Sequence, residues 1–124
     1  MISILPERNR EVVKELYKKC GLMASENSEA IVAKSRDEIL GFCLAKAFED
    51  SYTIQFVKPR DDLSLADGII RSAIHVGFEN GKQKFFWDND SDTAVFEKLR
   101  FIKDLENRVL DSSKLFEVCC GCLK

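Results

Sequence analysis

The sequence predicts an α/β fold of the α+β kind: a mixed, mostly antiparallel central sheet flanked by helices, in the order β-α-β-β-β-α-β-α-β, with one further strand at the end. Three observations predict it. Apolar spacing switches between period two and helical period several times along the chain. The middle holds three strand-like segments separated by short polar turns, the pattern of an antiparallel meander. The last of these, Tyr52 to Val57, runs through a short polar loop into a long helical pattern and then an aromatic strand, a right-handed crossover whose two strands are expected to be parallel.

Ile2 to Leu5 is a short apolar strand that Pro6 ends. Glu7 to Cys20 places Val12, Val13, Leu16 and Tyr17 on one helical face, and Gly21 stops that helix. Ala30 to Lys34 and Ile39 to Phe48 read as a hairpin about the turn Ser35-Arg36-Asp37-Glu38, and Tyr52 to Val57 as the third strand. The central helix carries Leu65, Ile69, Ala73 and Val76 at helical spacing. Ser64 with Asp67 three residues on forms a capping-box pattern that puts its first residue near Leu65, and Asn80-Gly81 closes it. Gln83 to Trp87 is a compact aromatic strand, with Phe86 on the face opposite Phe85 and Trp87 and so available to a cleft or a dimer surface. Asp88 to Asp92 leads into a brief helix, Thr93 to Leu99. Phe101-Ile102 and Leu115 to Val118 are the last strand candidates.

The 124 residues, 45% hydrophobic and 32% charged, suffice for one core, so one domain spanning 1–124 is expected. A net charge of −2 with scattered ions gives no basic field, which excludes nucleic acid as a partner class. No apolar run approaches the roughly 20 residues that span a bilayer. Met1 to Pro6 lacks the build of an export signal, so no membrane partner and a cytoplasmic location are expected. The five cysteines then read as reduced thiols. Residues 119–124 hold Cys119, Cys120 and Cys122, three ligands where structural zinc takes four. A reduced, loose tail is the preferred reading and no metal site is expected.

A helix that starts on a loop at a strand end offers unpaired amides, the usual seat of a phosphate-bearing cofactor in an α/β protein. Three segments give that loop a context. They are Arg36-Asp37-Glu38-Ile39-Leu40-Gly41-Phe42, then Val57-Lys58-Pro59 with Gly68-Ile69-Ile70, and Asn89 with Phe96-Glu97-Lys98-Leu99-Arg100-Phe101. In this order, and over nearly the whole chain, they resemble the hairpin, cofactor segment and closing pattern of the GNAT superfamily of acyl-CoA-dependent N-acetyltransferases. The resemblance implies acetyl-CoA or CoA as cofactor, an amine on a small molecule or peptide as acceptor, and an acceptor pocket built by the first helices and loops. It also implies a cofactor site formed by Phe56 and Val57 at the strand end, Leu63, Ser64, Leu65 and Ala66 at the helix start, and Asn89.

The chain departs from the family where the chemistry would lie. The phosphate-loop pattern Gln/Arg-x-x-Gly-x-Gly/Ala falls on Asp61-Asp62-Leu63-Ser64-Leu65-Ala66, so a carboxylate replaces the cationic or amide residue. At about 5 Å from a phosphate and an effective dielectric near 20 it would cost about 3 kcal/mol before screening. Ser64, if it caps its own helix, occupies donors the phosphates need. Phe96 stands where the family often has an acidic tyrosine, and the third strand offers Thr53 and Gln55 but no carboxylate. Glu49, Asp50 and Asp88 are the nearest base candidates, and no catalytic residue is assigned. His75, on a face with Arg71, Ser72 and Glu79, reads as a surface residue. Two functions remain open: a weak or inactive N-acetyltransferase, and a non-catalytic interaction module, homodimeric through a sheet edge.

Overall fold

A computed structural model describes residues 2–113. Leu115 to Val118 and the Cys119 to Cys122 tail lie outside the described residues. The elements are β1 (Ile2–Pro6), α1 (Arg10–Lys19), β2 (Ser28–Ser35), β3 (Glu38–Ala47), β4 (Ser51–Lys58), α2 (Leu63–Glu79) and β5 (Lys84–Trp87). After them come a 3₁₀ turn (Asp90–Asp92), α3 (Thr93–Lys98), β6 (Ile102–Asp104) and β7 (Val109–Leu110). The sheet has seven strands in the order β1-β2-β3-β4-β5-β7-β6, and β4 with β5 is its parallel pair. The mixed, mostly antiparallel architecture read from the sequence is therefore the one observed.

Each face of the sheet is covered by a helix. Against α2 lie Ile31, Cys43, Ile54, Val57, Ile69, Ile70, Ile74, Phe85 and Trp87, all buried. Against α1 lie Val13, Leu16, Tyr17, Val32, Phe42 and Leu44, with Phe56 half-buried beside them. β4 serves both layers because its register slips: Leu44 faces Phe56 and Ala45 faces Ile54, leaving Gln55 as the extra residue of a bulge. The bulge turns Gln55 and Phe56 toward the same side, and from it the strand bends away from β5.

Three local expectations are corrected. Asp62, not Ser64, caps α2: its carboxylate accepts from the Leu65 amide at 3.1 Å, and the helix starts at Leu63. Asp67 instead takes Arg71 Nε one turn on, at 2.8 Å, so no capping box forms. The strand expected at Phe101-Ile102 begins at Ile102, with Phe101 buried before it, and its partner is the two-residue Val109–Leu110 behind the turn at 105–108. In α1, Asn9 caps by accepting from the Glu11 amide, so the helix starts at Arg10 and not at Glu7.

Candidate active site

The site is built where β4 and β5 part. Their pairing runs from Ser51 opposite Lys84 to Ile54 opposite Trp87, and the last rung is the Asp88 amide donating to the Ile54 carbonyl at 3.1 Å. β4 continues to Lys58 paired only to β3, so four residues of backbone face a fork. Gly41 on β3 lets the strand end and its loop come close. A Cβ there would stand 2.6 Å from the Lys58 carbonyl oxygen and 2.8 Å from Pro59 Cδ.

Four residues, 59–62, join β4 to α2, and with Asp62 as cap two of the helix's first four amides are satisfied within the chain. Leu65 donates to the Asp62 side chain and Ala66 to the Asp62 carbonyl at 2.9 Å. The amides of Leu63 and Ser64 remain, and both residues are exposed. Of the expected cofactor residues, Leu63 and Ser64 thus keep donors. Leu65 does not, because the Asp62 carboxylate one residue ahead of the helix holds the position a phosphate would need, and Ala66 does not, because its amide closes the first helical turn on the Asp62 carbonyl. Asp61, exposed beside it, leaves the loop without positive charge on that side. Asn89 is turned to another task, accepting from the Ser91 amide at 2.9 Å to start the 3₁₀ turn.

Across the fork stands an ion pair that no local pattern announces. Arg60 donates from Nε to Asp92 Oδ1 at 2.8 Å, and its guanidinium lies 4.7 Å over the Phe56 ring, which stacks on Phe42. The Asp92 side chain is fully buried while that of Arg60 is 37% exposed. Oδ2 of Asp92 has no hydrogen-bond partner. Burial pushes the Asp92 carboxyl above the ordinary carboxylate range, and Arg60 and the nearby Val57 amide pull it back only in part. The Val57 amide is thus directed at the Asp92 carboxylate, while its side chain is core.

On the α1 side a second polar group meets the same strand. Tyr17 donates its phenol proton to the Ala45 carbonyl at 2.8 Å and lies 2.8 Å from the Gln55 amide. Gln55 Oε1 accepts from the same hydroxyl, so the one phenol proton is shared between two acceptors and the Gln55 Nε2 is left to face Asp88. Burial pushes the Tyr17 hydroxyl up to about 12. Asp88 stands at the fork with its carboxyl raised, first by burial, against the hydrogen bond of the Gln55 side chain and the charges of Arg108 and Lys46. Arg108, from the β6–β7 turn, fixes this segment by donating to the Asp88 carbonyl at 2.7 Å and to the Asp90 carboxylate. Of the three base candidates, Asp88 is the one at the fork. Asp50 pairs with Lys84 at the far end of β4, and the Glu49 carbonyl receives Lys82 there.

Phe96 is fully buried, its ring centroid 5.6 Å from that of Trp87, so it packs the core where an acid was sought. His75 is exposed and pairs with Glu79 at 2.5 Å. Cys43 is buried, its thiol raised by desolvation. Among the described residues no three His, Cys, Asp or Glu side chains gather as metal ligands, and no helix is long and apolar enough to cross a membrane.

No family model and no curated protein matches the sequence. Solved structures do match the fold. An aminoglycoside acetyltransferase from an uncultured soil metagenomic sample, in complex with trehalose, superposes with a TM-score of 0.61 at 13% identity, over 83% of this chain and 88% of that one. The fold is that of the GNAT superfamily. A ribosomal-protein-alanine N-acetyltransferase from Brucella melitensis biovar Abortus gives 0.60 at 11% identity, over 80% of this chain and 90% of that one. A transcriptional regulator from Bacillus halodurans gives 0.58 at 15%, over 85% and 95%. The structural neighbours thus include acetyltransferases of the GNAT family, and identities this low carry the fold alone.

Proposed function

We propose that this protein is a cytoplasmic N-acetyltransferase that takes acetyl-CoA in the fork between β4 and β5 and an amine from the α1 side. The observation that carries the reading is the fork itself: pairing of β4 with β5 stops at Ile54 and Asp88, and β4 runs on to Lys58 paired only to β3. The residues present fit the group in two places. The unpaired β4 backbone suits a chain of amides, and the Leu63 and Ser64 amides suit one phosphate, whereas Asp61 and Asp62 oppose a second. Affinity is accordingly micromolar or weaker.

Acetyl-CoA supplies the activated acyl group when bound. The chain's part is to accept a proton and to hold the amine. Asp88, an exposed residue whose carboxyl is raised by desolvation on its protein side, is the base at the fork, and Gln55 orients it while fixed in turn by Tyr17. Phe56 and Phe42 form the apolar wall beside it. Asp88 would take one proton from the incoming ammonium; as the nitrogen bonds the acyl carbon and the carbon–sulfur bond breaks, the nitrogen's second proton would pass through water to the departing thiolate. Phe96 cannot serve there.

The occupied α2 amides and the Arg60–Asp92 bridge favour a second reading, a non-catalytic module on the same fold, homodimeric through a sheet edge. Calorimetry with acetyl-CoA, followed by a thiol-release assay across amines, separates the two. Binding with turnover that Asp88→Asn abolishes supports the enzyme. No heat at millimolar acetyl-CoA leaves the module.

A further inference from the structure

The amine acceptor can be narrowed by the charges around the pocket it would enter. Beneath α1 a cleft of about 260 Å³ is lined by Leu16, Lys19, Cys20, Phe42, Phe56 and Lys58, with the β3 backbone at 39–41 along one side. Its aromatic floor is the Phe42–Phe56 stack, with ring centroids 5.9 Å apart and planes 17° apart. Arg60 stands over the outer ring, in an adjoining cleft that shares Phe56 and Lys58. Lys58 lines this cleft, and Arg60 borders it over the Phe56 ring. Among the described residues no carboxylate lines it.

Asp92 is fully buried with its charge directed to Arg60 Nε. That bond uses Nε and leaves the guanidinium over Phe56 with its two terminal nitrogens, four N–H groups in one plane. This is the fork that matches a carboxylate. The cleft is smaller than the roughly 300–1,000 Å³ of pockets for drug-sized ligands. On the β1 side of the Pro59–Asp62 loop, the groove of Ile2, Ile4, Leu40 and Leu63 carries Asp61 and Asp62 and, among the described residues, no cation, and Asp61 also borders the cleft that holds Arg60.

We propose that the cleft under α1 binds small amines that also carry a carboxylate, with Arg60, Lys58 and Lys19 receiving the carboxylate over the Phe42–Phe56 floor. Asp92 is the positioning residue for Arg60. Polycations, including the aminoglycoside class of the metagenomic neighbour, are rejected by the same three charges. The proposal rests on the acyl-transfer reading for the fate of the amine, not for the binding of the carboxylate.

The test is therefore made first without acetyl-CoA. Glycine, β-alanine and glutamate, their methyl esters, and spermidine are titrated into the labelled full chain, with amide shifts read at Phe42, Phe56, Lys58 and Arg60. The free acids are expected to bind at least about tenfold tighter than their esters or spermidine, the gap one charge-assisted contact gives. Lys19→Glu with Lys58→Glu, both exposed, is expected to reverse that order, and Asp92→Asn to weaken the acids while leaving the esters unchanged. Equal binding of acid and ester, tighter binding of spermidine, or no shift with any of them overturns the proposal. Acid binding in a protein that ignores acetyl-CoA upholds it and removes the acyltransferase reading instead.

Discussion

Against α2 the sheet is packed to contact, whereas against α1 the same strands leave gaps and carry polar groups. A Cβ on Gly77 of α2 would meet Phe85 Cε1 at 2.7 Å and Tyr52 Cγ at 3.1 Å, and one on Gly68 would meet Ile4 Cδ1 at 3.0 Å. On the α1 side, Phe56 is only half-buried, Tyr17 and Gln55 bond across the layer, and a cleft opens between helix and sheet. One helix therefore fixes the fold while the other roofs a site. The bulge at Gln55 connects them, since it lets β4 give Ile54 and Val57 to the tight layer and Gln55 and Phe56 to the loose one.

The comparison breaks if substitutions on the two sides cost alike. Gly41→Ala should cost most, about 3 kcal/mol, because its methyl group meets a backbone carbonyl that cannot turn aside; chemical denaturation measures it. Gly68→Ala meets only the end of a side chain and gains helix propensity of about 1 kcal/mol, so it should be nearly neutral.

Arg60→Ala comes next. It leaves the buried Asp92 carboxylate without its cation, and with the Arg60 side chain 37% exposed we expect about 1–3 kcal/mol rather than the full cost of breaking a buried pair. The pH dependence has a definite sign. A carboxyl raised in the folded state destabilises the fold as pH climbs from its ordinary range through the raised value, so the loss in Arg60→Ala should be largest near neutrality and shrink in acid. Adding Asp92→Asn should recover most of it, and an additive double mutant would contradict the pairing.

Tyr17→Phe should cost about 1 kcal/mol by denaturation, since the Ala45 carbonyl loses its donor. If Tyr17 steadies Gln55 beside the base, turnover should fall further than stability does. Activity of the unaltered protein should decline as pH drops through the raised Asp88 carboxyl, and Asp88→Asn should abolish that limb. His75→Ala, at an exposed pair, should change neither melting temperature nor activity.

The strands β2, β3 and β4 and both long helices were legible because each runs for eight or more residues, and β1 and β5 because short apolar runs end at Pro6 and Asp88. The cap of α2 was not, because Asp-Asp-Leu-Ser-Leu-Ala-Asp offers two overlapping caps of the same spacing, and Arg71 decides between them by drawing Asp67 away. β7 escaped because two residues have no period. The fork could be placed from the strand-loop-helix pattern, yet Arg60 and Asp92 are 32 residues apart and their pairing has no local signal. Asp92 looked like one more acid at a helix start. Burial gave it another role, and burial is set by packing between β4 and the segment after β5.

The most direct test of the fork as an acyl-CoA site is a titration of the labelled protein with acetyl-CoA, followed by amide shifts. The account predicts saturable shifts at Val57, Arg60, Leu63, Ser64 and Asp88, at micromolar concentrations or above. Shifts absent from these amides, or confined to the β1 side at Ile2, Ile4 and Leu40, would contradict it.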